Sequence, residues 1–163
     1  MSGRLIGIAL RSARREPMRL VETARLTPEA GIDGDHKGAK FKTRQVTLLS
    51  AGDWADALAD LEPAKGPTDL PWTARRANLL VDGLALPAAS GAALAIGPVR
   101  IEVTRPTFPC TRMLEVHADL MRALAKTWRG GVCGRVVAGG LIAIGDTVTI
   151  AAEGRPWTRP NLP

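Results

Sequence analysis

Pro106-Thr-Phe-Pro-Cys110 is the sharpest chemical feature of the sequence. Two prolines stiffen this segment directly after a strand pattern. Cys110 stands just before Thr111, the expected cap of a helix, with Arg112 two residues on. Helix N-terminal amides and a nearby cation both favour thiolate over thiol. A thiolate so placed can attack an electrophile, carry a persulfide or ligate a soft metal. The competing reading is an inert, buried small hydrophobe. Cys133, in Gly130-Gly-Val-Cys-Gly134, has glycine neighbours and only Arg129 and Arg135 as nearby charges. It reads as structural, although a redox pair with Cys110 stays open.

A second group of residues suits an anion. Arg129-Gly130-Gly131 has the make-up of an anion nest, in which backbone amides and a guanidinium turn to one phosphate. The same residues also make a plain helix stop. In Arg75-Arg76-Ala77-Asn78, Arg76 and Asn78 stand at i and i+2, on one face of an entering strand. That face would hold a phosphate or a pterin-like heterocycle, or else a solvated charge. Arg44, just before another strand, is similar. His36 follows Gly34-Asp35 in a long loop and reads as a surface histidine. His117 shares the apolar face of its expected helix and reads as a hydrogen-bonded core histidine. No spacing of His and Cys suggests a zinc site, and no Ser/His/Asp arrangement, P-loop or GxGxxG fingerprint is present.

The elements that must position these groups are short. Leu5–Leu10 reads as a strand, Arg19–Ala24 as a weaker one, and 27–43 as a long loop. Gln45–Leu49 is a strand, and Ser50 caps a helix whose Trp54, Leu58 and Leu61 form one buried stripe. After a loop at 63–71, Asn78–Val81 is a buried strand and Asp82-Gly83 a turn. Val99–Thr104 alternates apolar and polar residues, so one face is wet. A second helix is expected from Arg112 to about Lys126, with Leu114, His117, Met121 and Leu124 on one face. Gly134–Ala138 and Thr147–Ile150 complete the strands. Many short strands with two helices predict a mostly β fold built on a closed or nearly closed β-barrel. Residues 1–153 form its single domain. The stretch 154–163, rich in proline and without periodicity, is expected to be a flexible tail whose deletion changes stability little.

Length and charge bound the function. At 163 residues and 17.3 kDa, the chain fits one domain. Its 17 glycines and 12 prolines argue against a helical bundle. No apolar run is long enough for a signal peptide or a membrane span. Two cysteines make no disulfide scaffold, so a reducing cytoplasm is the expected setting. A net charge of +6 favours anionic partners, whether nucleic acid or a phosphorylated small molecule. Aromatics are only 4%, with no Tyr, so stacking platforms for bases would be scarce.

The pieces fall in a recognisable order. Gly34-Asp35-His36 is followed by Arg44-Gln-Val-Thr-Leu48, then Arg76-Ala-Asn-Leu79 and Gly83. Next come Ile96-Gly-Pro-Val and Pro106-Thr-Phe-Pro-Cys110. Arg129-Gly-Gly-Val132, Arg135-Val136, Gly139-Gly140 and Ile144-Gly-Asp-Thr-Val148 close the series. This order resembles the MOSC family, the domain named from the C-terminal region of molybdenum cofactor sulfurases, over about residues 4 to 150. The resemblance implies a barrel-centred fold that binds a molybdopterin-type cofactor. It makes Cys110 the metal ligand or sulfur carrier. It places Arg76, Asn78, Arg129 and Gly131 near the cofactor, to which the residue readings add Arg44, Arg112 and Gly130.

Family members include sulfur-transfer domains and reductases of N-hydroxylated compounds. This chain is too short for a fused desulfurase, ferredoxin-like or second barrel domain, so sulfur or electrons would come from another protein. Pyridoxal phosphate has no support in the residues. The expected function is therefore molybdenum-cofactor binding, in sulfur transfer or in reduction at a cysteine-ligated metal. The alternatives are a basic barrel for nucleic acid and a non-catalytic module for a small anion.

Overall fold

A computed structural model of the chain describes residues 1–108 and 110–158. The strands begin with β1 (Ser2–Leu10), β2 (Arg19–Leu20), β3 (Thr23–Thr27), β4 (Gly31–Ile32), β5 (Val46–Ser50) and β6 (Leu79–Asp82). They continue with β7 (Ala89–Ser90), β8 (Ala93–Ile96), β9 (Val99–Pro106), β10 (Val132–Ala138), β11 (Gly140–Ala143), β12 (Thr147–Ala152) and β13 (Arg155–Pro156). Two α-helices, α1 (Ala51–Ala59) and α2 (Leu120–Ala125), lie between them.

Seven strands close into a barrel in the order β12-β8-β9-β10-β5-β6-β1, and β1 returns to pair with β12. The closing register is Ser2↔Thr149, Gly3↔Val148 and Arg4↔Thr147. All neighbours are antiparallel except β5 and β6. A parallel pair needs a crossover, and α1 supplies it. Closure pairs each of the seven barrel strands on both sides.

Alternation along β9 sends Val99, Ile101 and Val103 into the barrel core, while Arg100, Glu102 and Thr104 face outward. Strand β5 is buried on both faces. Leu48 fills the barrel, and Leu49 meets a second core of Trp54, Leu61, Met113, Leu120 and Leu124 beneath the helices. Ser50 caps α1 as expected, its Oγ accepting from the Asp53 amide at 3.3 Å.

The second helix departs from expectation. In place of one helix over 112–126, a 3-10 turn spans Thr111–Glu115, and α2 begins only at Leu120. Cys110, not Thr111, occupies the cap position, without a side-chain bond to the turn. His117 explains part of the break. Its Nδ1 accepts the Asp119 amide at 2.9 Å, and its Nε2 lies 2.9 Å from the Glu62 carbonyl. Nε2 therefore carries the proton, and the ring ties the break to the 3-10 turn Pro63–Lys65. Leu114 is exposed, so the expected apolar stripe is only partly realised.

Residues 154–158 are docked rather than tail-like. Arg155–Pro156 pairs with Ala89–Ser90, and the Trp157 indole donates to Ser90 Oγ at 3.0 Å while packing on the barrel core. Residues 159–163 of the expected tail lie outside the described residues. Deleting 154–163 is accordingly expected to lower the melting temperature by about 5 °C, from ~2 kcal/mol of lost indole burial. An unchanged thermal transition would mean that the docking adds nothing. Among the described residues, no helix is long and apolar enough to cross a membrane.

Candidate anion-binding cleft

One cleft of about 740 Å³ gathers cations from segments far apart in the chain. Arg11 and Arg14 follow β1. Lys37, Lys40 and Arg44 come from the segment before β5. Arg75 and Arg76 end the 3-10 turn Trp72–Arg75, and Arg112 lies in the turn after Cys110. His36 also lines the cleft; among the described residues no Asp or Glu does, although Asp35 acts on Arg11 and Lys37.

Asn78 organises the strands beside it. Its Oδ1 accepts the Thr47 amide at 3.0 Å and the Thr47 hydroxyl at 3.1 Å, and its Nδ2 donates to the Ala9 carbonyl at 3.1 Å. The side chain is fully buried and its partners are backbone and threonine. Asn78 thus ties β1, β5 and β6 together and is absent from the cleft wall.

The arginines hold unmet hydrogen-bonding capacity. Arg75 is buried, with Nε donating to the Gly130 carbonyl at 3.1 Å, while its Nη2 has no partner. Arg11 Nη1, Arg44 Nε and Arg76 Nε are buried without partners as well. An unmet buried donor costs about 1–3 kcal/mol, and more when charged. Burial lowers the pKa of Arg11, Arg75 and Arg76; neighbouring arginines add to this at Arg11 and Arg76, while Asp35 partly offsets it at Arg11 and the cysteines partly offset it at Arg75. Guanidinium keeps its proton regardless. The strain is therefore one that a bound anion would relieve. Arg44 is held partly by stacking on Phe41, its guanidinium carbon 4.5 Å from the ring centroid.

Lys37 adds a group that titrates. Its Nζ donates to Thr47 Oγ1 at 3.2 Å. Burial pushes its pKa down from 10.5 to about 8, against the pull of Asp35. Between those values the unfolded chain holds a proton that the folded chain has lost, so this group's penalty on folding fades as pH rises through that window. Anion binding has the opposite sign, because the folded cleft loses a charge above about pH 8. Sulfate, a dianion throughout, is expected to bind more weakly as pH rises through 8. In Lys37→Met the affinity is lower and the slope flatter. Calorimetric titration of both proteins at several pH values checks this, and parallel slopes would remove Lys37 from the site.

Cys110 is exposed and lines the cleft. The helix behind it is only a five-residue 3-10 turn, which offers far less dipole than the sequence suggests. Arg75 and Arg76 lie within electrostatic reach of Cys110. Cys133 is buried, its Sγ 3.3 Å from Thr107 Oγ1.

The structure brings Arg44, Arg76, Arg112, Gly130 and Cys110 to one cleft. It does not bring Arg129, whose Nη1 donates to Asp60 at 2.6 Å. Gly131 is absent from the cleft lining as well, its amide donating to the Trp128 carbonyl at 3.3 Å. Its φ is +96°, and a Cβ there would lie 2.2 Å from the Leu48 carbonyl oxygen, so glycine serves close packing. Arg11, Arg14, Lys37, Lys40 and Arg75 line the cleft without having been expected there. Arg75 was legible in the same run as Arg76, and Arg11 and Arg14 form a basic run after β1. Strand alternation misled because Arg76 is not in a strand; it ends a 3-10 turn with φ +64°.

The fold is a closed barrel with an arginine-lined cleft and an exposed thiol in the cleft wall. The chain belongs to the MOSC domain family, whose model matches residues 33–149. That family is associated with the molybdenum cofactor. The crystal structure of the YuaD protein from Bacillus subtilis is similar, with a TM-score of 0.75 at 14% identity over 91% of this chain and 94% of that one. YiiM from Escherichia coli gives a TM-score of 0.67 at 19% identity, over 91% of this chain and 70% of that one. YiiM from Geobacillus stearothermophilus gives 0.69 at 15% identity, over 91% and 75%. At such identities the likeness is one of fold. No curated protein matches the sequence.

Proposed function

We propose that the chain binds a molybdenum-cofactor-type ligand, with its phosphate in the arginine cleft and Cys110 as the sulfur donor to the metal or the carrier of a transferable sulfur. One observation carries this reading: four arginines present buried, unpartnered N–H groups around a cleft that an exposed thiol also lines. Charge-assisted bonds from guanidinium suit phosphate, and a thiolate suits a soft metal. Among the described residues, no cluster of three or more His, Cys, Asp or Glu side chains could hold a metal ion. A metal at Cys110 would thus take its other donors from the cofactor, as a pterin dithiolene allows.

The chain's own residues have distinct parts. Arg75 is fixed by the Gly130 carbonyl and offers its free Nη2. Arg11, Arg44 and Arg76 add donors, and Lys37 adds a charge that fades above pH 8. When bound, the cofactor supplies a metal centre for two-electron reduction of N-hydroxylated compounds, or receives sulfur from Cys110. Either way, a separate protein provides the electrons or the sulfur.

Protein purified gently from a host that makes the cofactor is expected to carry molybdenum and a pterin that fluoresces after oxidation. Absence of both, even after reconstitution, overturns the reading. Nucleic acid would take its place if oligonucleotides bound tightly and lost affinity by orders of magnitude between ~50 and ~200 mM salt.

A further inference from the structure

A second, smaller concavity of about 410 Å³ lies beside the cleft, walled by Phe108, Trp128 and Trp157 with Arg155 among its lining residues. We infer that this groove is the subsite for the flat part of the substrate, and that it takes an aromatic or heteroaromatic ring that is neutral or anionic.

Four features carry this inference. First, aromatic residues are scarce: the chain has 4 Trp, 2 Phe and no Tyr. Half of them converge here, brought from the loop after β9, the 3-10 turn that follows α2 and the segment after β13. Second, the rings are arranged edge to face, Phe108 to Trp128 at 6.5 Å and Trp128 to Trp157 at 5.5 Å between centroids. Phe108 is 61% exposed, so its ring is held out to solvent and not spent on the core. Exposed aromatic faces grip other aromatic rings with a geometric preference that aliphatic ligands lack.

Third, the backbone is strained where it presents Trp128. Thr127 has φ +48° and Trp128 φ +61°, two consecutive side-chain-bearing residues in the left-handed region. Strain of this kind persists where the surrounding structure over-determines it, and it clusters at functional sites. Fourth, Phe108 lines both concavities, so the groove shares a wall with the cleft that Cys110 also lines. A ring seated in the groove would lie next to that cleft, across Phe108. Arg155 and the net charge of +6 disfavour a cationic ring and favour one carrying an acceptor or a carboxylate.

This inference rests on the proposed function only for the identity of the reacting centre, and its test needs no cofactor. The probes are benzoate and cyclohexanecarboxylate, which share ring size and charge and differ in flatness. Saturation-transfer NMR and competition titration on the full chain are expected to show benzoate binding, with the saturated acid about three- to tenfold weaker. Trp157→Leu should weaken benzoate by a similar factor and leave sulfate affinity unchanged, since Trp157 lies outside the arginine cleft. Phe108→Leu, at a position open enough to tolerate it, should weaken benzoate as well. Equal binding of the two acids overturns the inference. So does benzoate binding that survives both substitutions and disappears in Arg75→Gln, since the acid then sits in the arginine cleft. Benzoate binding in a protein that never holds molybdenum would leave the groove standing and remove only the proposed cofactor.

Discussion

Arg75→Gln is expected to weaken sulfate and phosphate binding about ten- to hundredfold. The wild-type guanidinium is buried, anchored through Nε to the Gly130 carbonyl, and left with Nη2 unpartnered. Its desolvation has already occurred in the fold, so a bound anion gains a charge-assisted bond without ordering a new side chain. Such bonds contribute about 1.5–3 kcal/mol each. Glutamine keeps a donor but loses the charge and the fork. Anion-free stability should change far less, because removing a buried, desolvated charge offsets the lost bond to Gly130. Thermal shift reads both effects. Sulfate at a hundred times its Kd should stabilise the wild type by about 2.7 kcal/mol, roughly 5–10 °C for a chain of this size. The same concentration should barely move the variant. Equal shifts in both would show that anions bind elsewhere on a generally basic surface.

The barrel was legible because its strands obey simple periodicities. Alternation in Val99–Thr104 and the double-sided apolar run around Leu48 map directly onto wet and buried faces. Ser50 with Asp53 marks a real cap. Legibility failed where tertiary contacts outrank local pattern. The segment after Cys110 has helical spacing, yet His117 captures the Asp119 amide and splits it. The C-terminal stretch has no periodicity at all, and it is docked by one pair of residues at β7 and by Trp157.

The site was half legible for the same reason. Cys110, Arg44 and Arg76 reach the cleft that their order in the chain suggested. Arg129 could not be separated from them by sequence, since its capture by Asp60 spans 69 residues. Asn78 has the right chemistry for a ligand, but Thr47 and Ala9 consume its amide. Lys37 stands in a loop whose pattern gave no sign of burial, and burial is what lowers its pKa.

The second large effect concerns the thiols. Cys110 is exposed in the cleft wall beside Arg75 and Arg76, whereas Cys133 is buried with its Sγ against Thr107. Serine at 110 preserves size and removes the soft, readily ionised atom that a molybdenum centre or a transferable sulfur requires. Cys110→Ser is therefore expected to keep the fold and the sulfate affinity while losing the metal. Cys133→Ser should retain both, apart from a modest loss of stability from altering a packed position. Retained sulfate affinity separates this outcome from simple unfolding.

The molybdenum-to-protein ratio of the wild type, Cys110→Ser and Cys133→Ser, purified side by side from a cofactor-producing host, tests this most directly. The account predicts a ratio near one for the wild type and Cys133→Ser, and near zero for Cys110→Ser. Molybdenum retained by Cys110→Ser at the wild-type ratio would contradict it.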